Sequence, residues 1–147
     1  MCSERRGKMA KIPEDVLETL EMEKKICMLA TVNEDGSLNL VPIGSLKVIG
    51  EESLAYACCF DGRTTKNLKE GRKRVALAIF KPPREGYQVK GTFLKMDDAG
   101  ELFDEFSSKM NPMLKGMGLN CKVRSVATIK VTEVYALTIP IAGERMA

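Results

Sequence analysis

Short apolar runs, broken at close intervals by tight-turn signals, constrain this chain more than any other feature of its sequence. Asn33-Glu34-Asp35-Gly36 separates the runs at 26–32 and 38–43, and Gly50-Glu51-Glu52 separates those at 46–49 and 54–60. Turns this short join antiparallel neighbours, whereas parallel strands need a long crossover, so each pair reads as a hairpin. A further run at 75–80 is apolar enough to be buried, and Lys81-Pro82-Pro83-Arg84-Glu85-Gly86 after it reads as a loop near the surface. Residues 87–96 alternate, with Tyr87, Val89, Gly91 and Phe93 on one face and Gln88, Lys90 and Thr92 on the other. Residues 123–138, rich in Val, Ile and Thr, supply one long strand or two broken ones.

Helices are sparse. Ile12-Pro13-Glu14-Asp15 opens one, with Val16, Leu17 and Leu20 on a common face and Lys24-Lys25 at its C-terminal end. Residues 64–70 form a short helix or turn. Residues 101–110 form another helix, with Leu102, Phe103 and Phe106 as its apolar stripe and Asn111-Pro112 as its end or the start of a new turn. Met110, Met113 and Met117 suit either core packing or the cap of a pocket, since Met adapts to irregular apolar surfaces. The sum is six or seven mostly antiparallel strands with two or three short inserted helices. That pattern favours a small closed or half-open barrel over a doubly wound sheet. With no repeat and no linker, residues 1–147 read as one domain, of which 1–11 form a loose basic leader.

Composition removes several classes of function. A formal charge of +3 suits one small anion better than nucleic acid. The polar start lacks a signal peptide's apolar core, and no run is long enough to span a bilayer, so a cytoplasmic location is expected. Histidine is absent, which removes Ser-His-Asp and Cys-His nucleophiles, His-containing zinc sites and ordinary haem ligation. The five cysteines, Cys2, Cys27, Cys58, Cys59 and Cys121, contain no C-x-x-C pair, so neither a disulfide framework nor a metal site is expected. Chemistry must then run through Lys, carboxylates, Tyr or Cys, or through a bound cofactor.

The most pointed local feature follows the 54–60 run. Asp61-Gly62 turns the chain, and Arg63-Thr64-Thr65-Lys66 opens a helical turn continuing through Asn67. Arg grips a phosphate with two parallel bonds, Thr adds a hydroxyl and a backbone donor, and a helix start leaves N–H groups free. The same residues also suit a plain capped surface turn with solvated charges. Neither the Walker spacing nor G-x-G-x-x-G is present.

The strings Leu29-Ala30-Thr31-Val32-Asn33-Glu34-Asp35-Gly36 and Asn39-Leu40-Val41-Pro42-Ile43-Gly44-Ser45 resemble the opening hairpin of pyridoxamine 5′-phosphate oxidase-related, FMN-binding split-barrel proteins. The resemblance continues through Asp61 to Leu68, Val75 to Ala78, Gly86 to Thr92 and Val131 to Leu137, in the same order. It implies a homodimer with flavin mononucleotide (FMN) in a groove between subunits. By that likeness Val41, Pro42, Ile43, Gly44 and Ser45 run along the isoalloxazine ring and bond it through the backbone. Gly62, Arg63 and Thr64 hold the phosphate, Asn67 supports that turn, and Gln88 and Lys90 approach the flavin. Cys58 and Cys59 fall at the strand end lining the groove. As neighbours on a strand they point opposite ways, so one faces the core and the other the flavin, as small hydrophobes or in a redox role.

The chain departs from the oxidase at Thr64, where that enzyme tends to carry Lys, which implies weaker FMN binding. It also lacks the Arg and His that serve the oxidase's substrate phosphate, its last residues offering Arg145 alone. The expectation is therefore an FMN-dependent oxidoreductase or electron-transfer protein with a small-molecule redox partner, and not a true pyridoxamine 5′-phosphate oxidase. The alternatives are a non-catalytic flavin-binding or storage module, and a reductase using the deazaflavin F420 on the same fold.

Overall fold

Hairpin pairing propagates along the chain into seven antiparallel strands in the computed structural model, which describes residues 11–21, 25–59, 62–81, 85–137 and 143–147. Helix α1 (Glu14–Glu21) is followed by β1 (Ile26–Val32), β2 (Leu38–Pro42), β3 (Lys47–Gly50), β4 (Ser53–Cys58), α2 (Arg63–Lys69), β5 (Arg74–Lys81), β6 (Glu85–Asp97), α3 (Glu101–Gly116) and β7 (Ser125–Ala136). The sheet runs β2-β1-β5-β6-β7-β4-β3. Its two edges, β2 and β3, are consecutive in sequence, so residues 43–46 bridge them. The Ile43 N–H donates to the Cys27 carbonyl of β1 at 2.9 Å, and Ser45 Oγ accepts from the Ala57 N–H of β4 at 2.9 Å. These two bonds curl the sheet into the expected split barrel. Among the described residues, no helix is long and apolar enough to cross a membrane.

The alternation in β6 is realised. Tyr87, Val89, Gly91 and Phe93 point into the barrel, where Leu29, Leu77, Ile79, Ile129 and Val134 are fully buried around them. Each such side chain contributes about 1.5–3 kcal/mol of apolar burial. Helix α1 plugs the barrel with Val16 and Leu20, joined by Ile12 just before it, and the Ile12 N–H bonds the Glu51 carbonyl at 2.8 Å. At the β6–β7 bulge, Gly91 lies so close to β7 that a Cβ there would meet the Lys130 carbonyl oxygen at 2.6 Å.

One expectation fails. Helix α3 does not stop at Asn111-Pro112 but runs to Gly116, with Pro112 inside it. Pro112 removes one N–H donor, to a carbonyl on the exposed side of the helix at Ser108. Tertiary contacts outweigh that loss. Phe106 is buried with Leu102, Phe103 and Met110 against Ala55, Val123 and Val126, and Asn111 Oδ1 accepts the Val123 N–H at 2.9 Å.

Candidate functional site

The predicted phosphate residues lie on α2, which docks against the β1–β2 hairpin through a buried polar hub. Asn67, 2% exposed, donates from Nδ2 to Thr31 Oγ1 at 3.0 Å and to Asn33 Oδ1 at 2.9 Å. Its Oδ1 accepts from Arg72 Nη2 at 3.2 Å, and Arg72 Nε reaches the Val32 carbonyl at 2.9 Å. Thr64 Oγ1 accepts from Asn39 Nδ2 at 2.9 Å. Gly62 precedes the helix with no side-chain cap, and the first helical bond runs from the Lys66 N–H to the Gly62 carbonyl. Arg63 projects to solvent from the first turn, and Thr65 is buried. The Asp35 carboxyl, in the β1–β2 turn, is held below the usual carboxylate range, first by the Ser37 hydroxyl and N–H and, more weakly, by the Arg63 guanidinium. Asp61, which the sequence places in the same turn, lies outside the described residues.

The predicted ring-binding segment follows β2. Val41 and Ile43 pack partly against the core, while Pro42 and Gly44 are exposed. Gly44 faces open space where a side chain would begin. Ser45 is the residue tied to β4.

Register carries Gln88 and Lys90 toward that segment across the outside of the barrel. Pro42 pairs with Met28, Met28 with Ala78, Ala78 with Gln88, and Gln88 with Tyr135. The adjacent row runs Leu40, Ala30, Ala76, Lys90 and Glu133. These five strands, at about 4.8 Å spacing, form a floor about 19 Å across. Small alanines occupy its middle, none of the ten residues is buried, and Leu38 and Leu40 at its β2 edge are 76% and 63% exposed. Lys90 Nζ stands 5.3 Å from the Tyr135 ring centroid, and the Tyr135 hydroxyl donates to Glu133 Oε1 at 2.8 Å. That carboxylate bond pushes the Tyr135 phenol upward.

Cys58 and Cys59 part as neighbours on a strand must. Cys58 is buried in the barrel beside Tyr56, whose phenol burial pushes well up. Cys59 turns to the other face of the sheet, where it packs with the α3 side chains. Met110 and Met113 line a groove of about 670 Å³ between α1, residues 44–48 and α3. Among the described residues, no cluster of three or more acidic or Cys side chains is placed to hold a metal.

Sequence reasoning had missed Thr31, Asn39 and Arg72 as the frame of α2, and Tyr135 beside Lys90. A signal for the floor existed. Ala76 and Ala78 alternate with Val75, Leu77 and Ile79, marking one face of β5 as small and the other as core.

Residues 12–138 match the sequence profile of the family described as pyridoxamine 5′-phosphate oxidase. An uncharacterised protein of Methanocaldococcus jannaschii is 31% identical over 144 residues, covering 95% of this chain and 90% of its own length. Among solved structures, an FMN-binding protein from Syntrophomonas wolfei superposes with a TM-score of 0.69 at 18% identity, over 85% of this chain and 88% of its own. An F420 reductase superposes with a TM-score of 0.62 at 17% identity, over 84% of this chain and 98% of its own. At such identities the two structures establish a shared fold.

Proposed function

Because the chain belongs to the pyridoxamine 5′-phosphate oxidase family, we propose that it is an FMN-binding flavoprotein acting as an oxidoreductase or electron carrier. The observation that carries the reading is the outer floor of the barrel. A planar ring needs a flat surface of small side chains with polar groups at its margin. Ala30, Ala76 and Ala78 supply the surface, and Gln88, Lys90 and the backbone of Val41 to Ser45 border it. The floor reaches α2 through β2, in which Leu38 and Leu40 face outward while Asn39 between them holds Thr64. A ring on the floor would thus have its phosphate within the domain of Arg63 and Thr64, set by the Asn67 hub.

Exposed Leu38 and Leu40 argue for a second copy of the chain as the cover, since a contiguous apolar patch on an open sheet is costly to leave in water. The functional unit in this reading is a homodimer with the cofactor between subunits. FMN would supply the hydride or electron chemistry. The chain's own residues bind the phosphate at Arg63, orient the ring along residues 41–45, place the Lys90 charge near its margin and exclude water by dimerisation. With no histidine in the sequence, pyridoxamine 5′-phosphate is not the proposed substrate.

The fold is shared with an F420 reductase, and a deazaflavin would lie on the same floor. Parallel titrations of the purified chain with FMN and F420, followed by fluorescence, separate the two cofactors. Saturable FMN binding with a flavin absorption spectrum supports the proposal, and binding of F420 alone overturns it. Anaerobic mixing of the FMN-loaded chain with NADH or NADPH then separates an oxidoreductase, which bleaches, from a storage module, which does not.

A further inference from the structure

We propose that Cys59 and Cys121 form a redox-active dithiol that a hydroperoxide converts to an intramolecular disulfide. Cys59 follows the last residue of β4 and points away from the barrel core toward α3. The chain leaving α3 returns along β4 and is pinned at two points. Asn111 Oδ1 accepts the Val123 N–H at 2.9 Å, and the Cys58 carbonyl accepts the Arg124 N–H at 2.8 Å. This return sets Cys121 beside Cys59 on one groove wall. Both are half-buried, and both line an open groove of about 870 Å³ with Lys115, Lys122 and Arg124. Small oxidants can therefore reach a thiol pair that two hydrogen bonds hold in place.

Burial pushes the Cys59 thiol up, which suits it to the second, resolving step. The Cys121 thiolate attacks one oxygen of hydrogen peroxide. The O–O bond breaks, the departing hydroxide takes up the thiol's proton as water, and Cys121 becomes a sulfenic acid. Cys59 then attacks that sulfur. The S–S bond forms, the S–O bond breaks, and the oxygen leaves as a second water with the Cys59 proton. The sulfur pair loses two electrons and the peroxide gains them. The bridge would fasten the chain beyond α3 to the end of β4, ahead of α2 in sequence. It does not depend on which cofactor the floor holds.

The test treats the full-length chain with one equivalent of hydrogen peroxide, blocks remaining thiols with iodoacetamide, and maps peptides without reduction. The expected result is a chain lighter by two hydrogens, with Cys59 and Cys121 in one linked peptide pair that a dithiol reductant restores. Cys59→Ser and Cys121→Ser should each abolish the linkage, and Cys58→Ser should preserve it. A bridge to Cys58 or Cys27, a bridge between chains, or sulfinic and sulfonic acids without a bridge would each overturn the proposal. The wild-type peptide map decides the matter even where a variant folds poorly.

Discussion

Asn67 Nδ2 on α2 donates to Thr31 Oγ1 on β1 across 3.0 Å, at a site only 2% exposed. That bond and its two companions, to Asn33 and from Arg72, fix a short helix that has little apolar surface of its own beyond Leu68. Asn67→Ala leaves the hydroxyl, the amide and the guanidinium without this partner. The expected loss of stability is about 1–3 kcal/mol, read in urea denaturation as a lower midpoint with an unchanged slope. An unchanged midpoint would mean that α2 docks through Leu68 alone.

Arg63 is exposed on the first turn of α2. Arg63→Ala should weaken FMN binding by about 1.5–3 kcal/mol, the worth of a charged hydrogen bond, at unchanged thermal stability of the free chain. Fluorescence titration measures the first quantity and a melting curve without ligand the second. Equal affinity in the two proteins would place the phosphate elsewhere.

Gly91 and Gly44 should behave oppositely. A Cβ at Gly91 would press on the backbone of β7 at 2.6 Å and on Ile129 Cγ2 at 2.7 Å. Gly91→Ala should therefore cost about 1–3 kcal/mol through strand displacement. A Cβ at Gly44 meets nothing within 4 Å, so Gly44→Ala should leave stability within about 0.5 kcal/mol of wild type. Denaturation of the pair, side by side, checks both.

Leu40→Glu puts a charge on the outer face of β2 without touching the core. On the proposed dimer, the expected outcome is a wild-type dimer and a variant monomer by light scattering, with FMN binding weakened in parallel. A wild-type chain that is monomeric at high micromolar concentration removes the premise.

Asp35 gives the fold a specific acid dependence. Its carboxyl titrates lower in the folded chain than in the unfolded one because the Ser37 hydroxyl and N–H favour the charged form. A depressed folded-state pKa means stability fully present above the unfolded value of about 4 and lost as pH falls through the folded value. Asp35→Asn should reduce stability near neutrality and converge with wild type in acid, as a denaturation series across pH would record. A constant difference at every pH would assign the effect to the turn and not to the charge.

The strands and their faces were legible because turn residues and period-two alternation are local signals. Tyr87 to Phe93 announced which side of β6 is core, and the structure agrees residue by residue. The continuation of α3 past Pro112 was not legible. Local chemistry argues for a stop there, and the contacts that overrule it come from Val123 and the sheet, distant in sequence. The α2 frame escaped for a similar reason, since Thr31, Asn39 and Arg72 carry no pattern until the hairpin folds beneath the helix. Cys121 stood isolated in sequence and comes to the groove of Cys59 only through the return of the chain from α3.

Residues 43–46 span the two edges of the sheet, one end bonded to Cys27 and the other to Ala57. The barrel's seam is therefore the same stretch of backbone that a ring on the floor would touch. A ligand seated there acts as a clasp on the slit, and the slit cannot open without releasing it. Amide exchange at Ile43 and Ala57 should then slow together as the cofactor saturates, and the melting temperature should climb with its concentration well after every site is filled. Purification in the presence of cofactor would yield the sturdier protein.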